Sequence, residues 1–256
     1  MEVYKNGNIT VYNDDCMNVM KTLPDESIDL VCTDPPYRVT PSGTAGSAGG
    51  MLTKKQYLSG KVFGFNDIDC SVYAPEFFRI LKDGSHCYVM TNNVNLIHML
   101  NVFTETGFHF IKSLIWDKGN KIMGQFYMSQ FEYILFFRKG YGKKINNCGT
   151  SDILSIPNDK VKDAEGNNLH DTEKPVDLMK VLVENSTEKG GVVLDPFSGS
   201  GSTMLACLQT GRVGIGCEID PDFFSVIQKR IDSGSRIVDY SRETKGLDRA
   251  SFSDLL

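Results

Sequence analysis

Val192-Val193-Leu194-Asp195-Pro196-Phe197-Ser198-Gly199-Ser200-Gly201-Ser202-Thr203 decides the fold class. An apolar run ends in an acid and breaks into a proline and two glycines, and helical spacing follows from Thr203 to Gln209. A second apolar run, Val213 to Ile219, carries Glu218 near its end, 23 residues beyond Asp195. A lone G-x-G is usually only a tight turn. Strand, acid, G-x-G, helix, strand and acid in that order is more specific, because a doubly wound α/β fold places such an acid at the carboxyl edge of its sheet to receive a ribose diol. No lysine follows Gly201, which excludes a phosphate-binding P-loop, and the third glycine of a dinucleotide fingerprint is missing. What remains suits a ligand with a ribose and no phosphates.

Working outward, a second break of the same kind lies upstream. The apolar run Ile28 to Cys32 leads into Thr33-Asp34-Pro35-Pro36-Tyr37. The bland reading is a proline-rich strand exit with an acid capping a turn. The chemical reading is a clamp for an exocyclic amine of a nucleic-acid base. Such an amine is a poor nucleophile while its lone pair is delocalised into the ring. Acceptors for both of its N–H groups favour a tetrahedral nitrogen and free that pair. The Asp34 carboxylate and the Pro35 carbonyl offer two acceptors, Pro35 and Pro36 fix the backbone, and Tyr37 offers a ring face for a base taken out of the stack. With a ribose site carrying no phosphates beside it, the commonest matching cofactor is S-adenosylmethionine.

The remaining pattern alternates. Ile9 to Tyr12 reads as a strand, Cys16 to Met20 as a helix, and Pro41 to Gly50 as a mobile loop. A helix through Tyr73, Phe77 and Leu81 precedes a turn at Lys82-Asp83-Gly84 and a strand from His86 to Met90. Val94 to Phe103 is helical, Ile111 to Trp116 and Phe131 to Phe137 are strands, and Tyr141 to His170 is polar and poorly periodic. Pro175 opens a helix, Pro221 to Ile231 is the last one, and Ser233 to Leu256 reads as a weakly ordered tail. Strands and helices in alternation imply an α/β fold with a doubly wound, mainly parallel sheet.

Composition sets bounds on function. The 256 residues, 41% hydrophobic and 23% charged, suit a single domain over 1–256. No run is apolar enough for a membrane span and Met1 to Lys5 has no signal pattern, so the expected setting is cytoplasmic with no membrane partner. The seven cysteines form no C-x-x-C and His86, His98, His109 and His170 make no ligand pattern, so no metal is expected. A net charge of −5 weighs against a nucleic-acid partner, yet 35–66 holds no acid and carries Arg38, Lys54, Lys55 and Lys61. A second basic cluster runs from Arg138 to Lys144. Phosphate binding depends on local cations, so both are candidate DNA contacts as well as candidate solvated loops.

These blocks together resemble the β class of S-adenosylmethionine-dependent DNA amino-methyltransferases, in which the D-P-P-Y block precedes the cofactor block. The resemblance runs from about Ile9 to Ile231. Asp14-Asp15-Cys16 is similar to the family's G-D-C, with Asn13-Asp14 departing at the glycine. His170-Asp171-Thr172-Glu173-Lys174-Pro175 is similar to its H-P-T-E-K-P, with Asp171 in place of proline. Trp116-Asp117-Lys118 and Phe131 to Phe137 resemble its later strands. The resemblance implies a Rossmann-like methyltransferase sheet in circularly permuted motif order, mainly parallel with one antiparallel strand. It implies cofactor contacts from Asp15, Cys16, Lys174, Asp195, Phe197, Gly199, Gly201, Ser202, Thr203, Glu218 and Ile219, with Asp15 on the cofactor's adenine amine. Catalysis falls to Asp34, Pro35, Pro36 and Tyr37, and recognition to insertions at 38–66 and 138–170, too short for a large separate domain. Double-stranded DNA is the implied partner; a homodimer and a cognate restriction nuclease of a restriction-modification pair are compatible but unreadable.

An aspartate opening the clamp resembles adenine-N6 members, whereas serine is more usual in cytosine-N4 members. Cytosine-N4 and RNA amino-methyltransferases stay open as alternatives, as does a non-catalytic nucleic-acid-binding protein, which would have no need of an intact clamp. A cytosine-C5 enzyme needs a nucleophilic thiolate, typically after proline, and no Pro-Cys occurs.

Overall fold

The computed structural model describes residues 1–36, 68–122, 127–158 and 173–234. Tyr37, the basic segment 38–66 with Arg38, Lys54, Lys55 and Lys61, the triplet His170-Asp171-Thr172 and the tail beyond residue 234 lie outside the described residues.

Strands β1 (Glu2–Asn6), β2 (Ile9–Asn13), β3 (Ile28–Thr33), β4 (Leu81–Thr91), β5 (His109–Ile122), β6 (Ser129–Arg138), β7 (Ile153–Ser155), β8 (Val192–Asp195) and β9 (Val213–Glu218) form one sheet in the order β1-β2-β9-β8-β3-β4-β6-β5-β7. Helices α1 (Cys16–Thr22), α2 (Cys70–Ile80), α3 (Leu96–Thr106), α4 (Val176–Ser186), α5 (Ser202–Thr210) and α6 (Pro221–Ser233) cover it. The central strands β2, β9, β8, β3 and β4 run parallel. The antiparallel strand expected from the family resemblance is β6, between β4 and β5. The sheet adds another at its far edge, β1, antiparallel to β2.

Alternation along each strand explains the two covered faces. Leu30 and Cys32 of β3, with Tyr88 and Met90 of β4, join Leu182 of α4, Leu205 of α5 and Ile227 of α6 in one core. Val31 of β3, with Cys87 and Val89 of β4, joins Val19 of α1, Phe77 of α2 and Phe103 of α3 in the other. Helix starts are set by local chemistry. The side chains of Asp15, Asp69 and Asp220 accept backbone N–H groups at the first turns of α1, α2 and α6.

From β3 the chain winds through α2 to β4 on one side. From β8 it winds through α5 to β9 on the other. The winding direction therefore reverses between β3 and β8, and the crevice beyond their carboxyl ends is the switch point where such sheets bind ligands. Lys82-Asp83-Gly84, expected as a turn before the strand, lies inside β4. The register slips there, Gly84 takes φ +76°, and its N–H donates to the Lys139 carbonyl at 2.8 Å. β7 and β1 were not foreseen: β7 is only three residues long, and β1 is largely exposed and polar. Among the described residues, no helix is long and apolar enough to cross a membrane.

Candidate active site

Four neighbouring strands end in acids at one edge: Asp15 after β2, Glu218 on β9, Asp195 on β8 and Asp34 after β3. Thr33 Oγ1 donates to Asp195 Oδ1 at 2.7 Å and so ties the exits of β3 and β8 together. The Phe197 amide donates to the same oxygen at 3.2 Å. Burial pushes the Asp195 carboxyl up to about 6, against the hydrogen bonds from Thr203 and Thr33.

The glycine block wraps around Glu218. Gly199 takes φ +51° and its N–H donates to Glu218 Oε2 at 2.7 Å, while the Asp220 amide donates to Oε1 at 2.9 Å. Gly201 takes φ +81°, and a Cβ there would meet Ile227 at 3.0 Å, so both backbone conformation and packing call for glycine. Burial pushes the Glu218 carboxyl up to about 7, despite those two amide donors. Ser202 and Thr203 are buried at the start of α5, and Ser202 Oγ has no hydrogen-bond partner. A buried orphan hydroxyl beside a strained glycine turn and two acids is a donor set that suits a polar ligand with a diol and an amino acid end. The Phe197 ring packs edge-on against Tyr73 at 5.2 Å.

Other expected cofactor residues are placed as follows. Asp15 is exposed, and its Oδ1 accepts from the Met17 amide at 2.8 Å. Cys16 is buried in the core and burial pushes its thiol up to about 12, so it shapes the wall rather than reacting. The Ile219 side chain is exposed and its carbonyl accepts from Asn13 Nδ2 at 3.2 Å. Lys174, expected among the cofactor contacts, has its ammonium on Asp34 Oδ2 and at 3.5 Å from Glu132 Oε2.

That contact defines the other half of the crevice. Asp34 Oδ2 is held by Lys174, whereas Oδ1 is buried with no hydrogen-bond partner. Burial pushes the Asp34 carboxyl above the ordinary range and Lys174 pulls against it. Pro35, buried, and Pro36 follow directly. Glu132 from β6 also binds Lys118 from β5, and both lysines lie over the Trp116 ring, at 5.2 Å and 6.0 Å. Burial works to raise the Glu132 carboxyl, but Lys174 and Lys118 together hold it below its usual value.

One functional contact had no signal in the sequence. Arg230 on α6 donates to the Ser200 carbonyl at 2.6 Å and to Ser200 Oγ at 2.9 Å, and pairs with Glu173 at 2.9 Å. It thereby joins the glycine turn to the residue preceding Lys174. Arg230 in a last helical turn reads as a cation favoured by the helix dipole, and its partner lies 57 positions away.

One expectation is corrected. The Arg138 to Lys144 cluster sits at the amino edge of the parallel strands, opposite Asp34, since Arg138 is the last residue of β6, which runs antiparallel to β4. Three of its four cations are engaged there: Arg138 on the Gly140 carbonyl, Lys139 on the Leu81 carbonyl and Lys143 on the Ser186 carbonyl. Much of 138–158 is thus built into the sheet and its edge, and the remainder of that insertion, 159–170, lies outside the described residues. His98, assigned to no ligand pattern, joins Asp69 and Cys70 within 4.8 Å, but Asp69 Oδ2 and His98 Nε2 already bond at 2.9 Å and burial pushes the thiol up to about 11.

Comparison with known proteins agrees with this geometry. A family model described as DNA methylase, for N6 and N4 methyltransferases, matches residues 28–229. Type II methyltransferase M.HinfI of Haemophilus influenzae is 29% identical over 248 residues, covering 87% of this chain and 68% of that protein. Type II methyltransferase M2.MboI of Moraxella bovis is 27% identical, covering 87% of each. A putative DNA modification methylase of Thermus thermophilus, solved with S-adenosyl-L-methionine, superposes with a TM-score of 0.62 at 21% identity, covering 90% of this chain and 99% of that one.

Proposed function

The chain belongs to the N6/N4 DNA methylase family, and from that premise we propose that it methylates the N6 amine of adenine in double-stranded DNA, with Asp34 as the acceptor that readies the amine. The observation carrying this reading is the divided Asp34 carboxylate: one oxygen held by Lys174, the other buried at the switch point without a hydrogen-bond partner. S-adenosylmethionine, the cofactor of the family, supplies an electrophilic methyl group carried on a sulfonium sulfur. Glu218 would accept from its ribose diol, and Asp195 with the Gly199 to Gly201 turn would hold its methionine end. Asp34 Oδ1 and the Pro35 carbonyl each accept one N–H of the base amine. They would favour a tetrahedral nitrogen, and Asp34 would take the proton released as the N–C bond forms, the methyl's bond to the sulfonium sulfur breaks and a neutral thioether leaves. Tyr37, directly after Pro36, supplies the ring face for the extruded base.

An aspartate at the head of the clamp supports adenine over cytosine. Duplexes in which purine replaces adenine lack the 6-amino group while keeping the ring. Methyl transfer from labelled cofactor should be lost on such duplexes and retained where only the cytosines lack their amine. Persistent transfer to purine-substituted DNA would overturn the base assignment. Transfer to RNA alone would overturn the polymer.

The Glu218 contact has a measurable signature. Glu218→Ala should weaken cofactor binding by about 1.5–3 kcal/mol, the range for a hydrogen bond to a charged group. Because burial pushes the carboxyl up to about 7 and the ionised form is the better acceptor, wild-type affinity should rise from pH 6 to pH 8. Calorimetry at both pH values checks this. Wild-type affinity in the variant, or affinity falling with pH, would remove Glu218 from the ribose.

A further inference from the structure

Trp116 and Glu132 are direct partners across β5 and β6, and Lys118 follows Trp116 by two residues, which puts it on the same face of the sheet. Trp116 is 1% exposed and its Nε1 donates to the Ile156 carbonyl at 2.8 Å, so the indole is fixed beneath both lysines. The result is a chain of alternating charge, Lys118, Glu132, Lys174 and Asp34, closed to solvent on most sides.

We propose that Glu132 is a positioning residue for methyl transfer: held by Lys118, it draws the Lys174 ammonium to one side of Asp34, so that Lys174 covers Oδ2 and leaves Oδ1 open to the base amine. This rests on the reading of Asp34 given above. A lysine with Asp34 as its sole anion would settle between both carboxylate oxygens. A second carboxylate 3.5 Å from Nζ opposes that. A cluster serving stability alone would also satisfy Asp34 Oδ1, since buried acceptors are nearly always paired. Here Asp34 Oδ1 has no hydrogen-bond partner, and Glu132 Oε2 meets Lys174 only as an ion pair at 3.5 Å.

Among the described residues, the charged groups facing Asp34 are Lys174 from the segment before α4, Glu132 from β6, Lys118 from β5 and Asp195 from β8. Glu132→Gln removes a negative charge and frees Lys174 to close over Asp34. The Asp34 carboxyl, followed by carbon-13 NMR in the protein without cofactor or DNA, should therefore titrate at lower pH than in wild type. kcat on duplex DNA should fall roughly 10–100-fold, the cost of misplacing a reacting group by about an ångström, with cofactor Kd within about twofold of wild type. Because Glu132→Gln leaves two buried cations beside one anion, Lys118→Met/Glu132→Gln is the second variant. It restores neutrality, and should keep both the low Asp34 titration and the reduced kcat. An unchanged Asp34 titration in both variants, or full recovery of kcat in the double variant, would overturn the proposal and leave Glu132 as the counter-ion of Lys118. Were wild type itself to leave DNA unmethylated, the reading of the site would fail, whereas the titration of the free protein would still decide the role of Glu132.

Discussion

Asp34→Ala is expected to lower methyl transfer to duplex DNA by at least about 10²–10³-fold while moving cofactor Kd by less than about twofold. The rate term follows from the position of the carboxylate. Oδ1 acts on the amine nitrogen, where charge develops in the transition state, and removing one such preorganised group costs on the order of 3–4 kcal/mol. The affinity term follows from the proposed cofactor site, whose Asp195 and Glu218 lie one and two strands away from Asp34. Collapse of the fold is not expected to mimic the effect, because Lys174 keeps Glu132 at 3.5 Å and no buried cation is stranded. Single-turnover rates, calorimetry with the cofactor and a thermal melt separate the three. Near-wild-type turnover would refute the clamp, and parallel loss of turnover and cofactor affinity would move Asp34 into the cofactor site.

Arg230→Ala should have the largest effect on stability. The Arg230 and Glu173 side chains are 3% and 5% exposed, so truncating the arginine breaks a buried ion pair. Breaking such a pair costs about 3–5 kcal/mol, and in a chain of this size each kcal/mol lowers Tm by about 2–4 °C. A fall in Tm of about 10 °C is the expected scale. The variant also loses two hydrogen bonds to Ser200, so cofactor affinity should fall with it. Arg230→Met/Glu173→Met separates the contributions. An apolar pair of similar volume should recover much of the Tm, while the Ser200 anchor stays lost and affinity stays low. A melt of Arg230→Ala within about 2 °C of wild type would contradict the account of a buried pair.

Most of the sheet was legible because its strands are short apolar runs closed by strong breakers. β3 ends in Asp34-Pro35-Pro36, β8 in Asp195-Pro196, and α6 opens on Asp220-Pro221, so local chemistry and tertiary structure agree. Asp195, the glycines and Glu218 could be placed together because one βαβ unit carries all of them. Contacts that join distant elements were not legible. Nothing in the spacing of Glu173 and Arg230 marks them as partners, and Lys174 was assigned to the cofactor although its ammonium rests on Asp34. Glu132 did leave a trace: a charged residue in the otherwise aromatic and aliphatic stretch from Phe131 to Phe137, at a position whose alternation points to the α4 face. Lys82 to Gly84 misled because a glycine at positive φ serves a bulge as readily as a turn.

The central claim is that this crevice methylates adenine N6 in duplex DNA and that Asp34 makes the amine reactive. Incubation of duplex DNA and S-adenosylmethionine with wild type and with Asp34→Ala, followed by digestion to nucleosides and mass spectrometry, tests both parts at once. The account predicts N6-methyladenine from wild type and its near-absence from the variant. N4-methylcytosine as the wild-type product, or equal N6-methyladenine from both proteins, would contradict it.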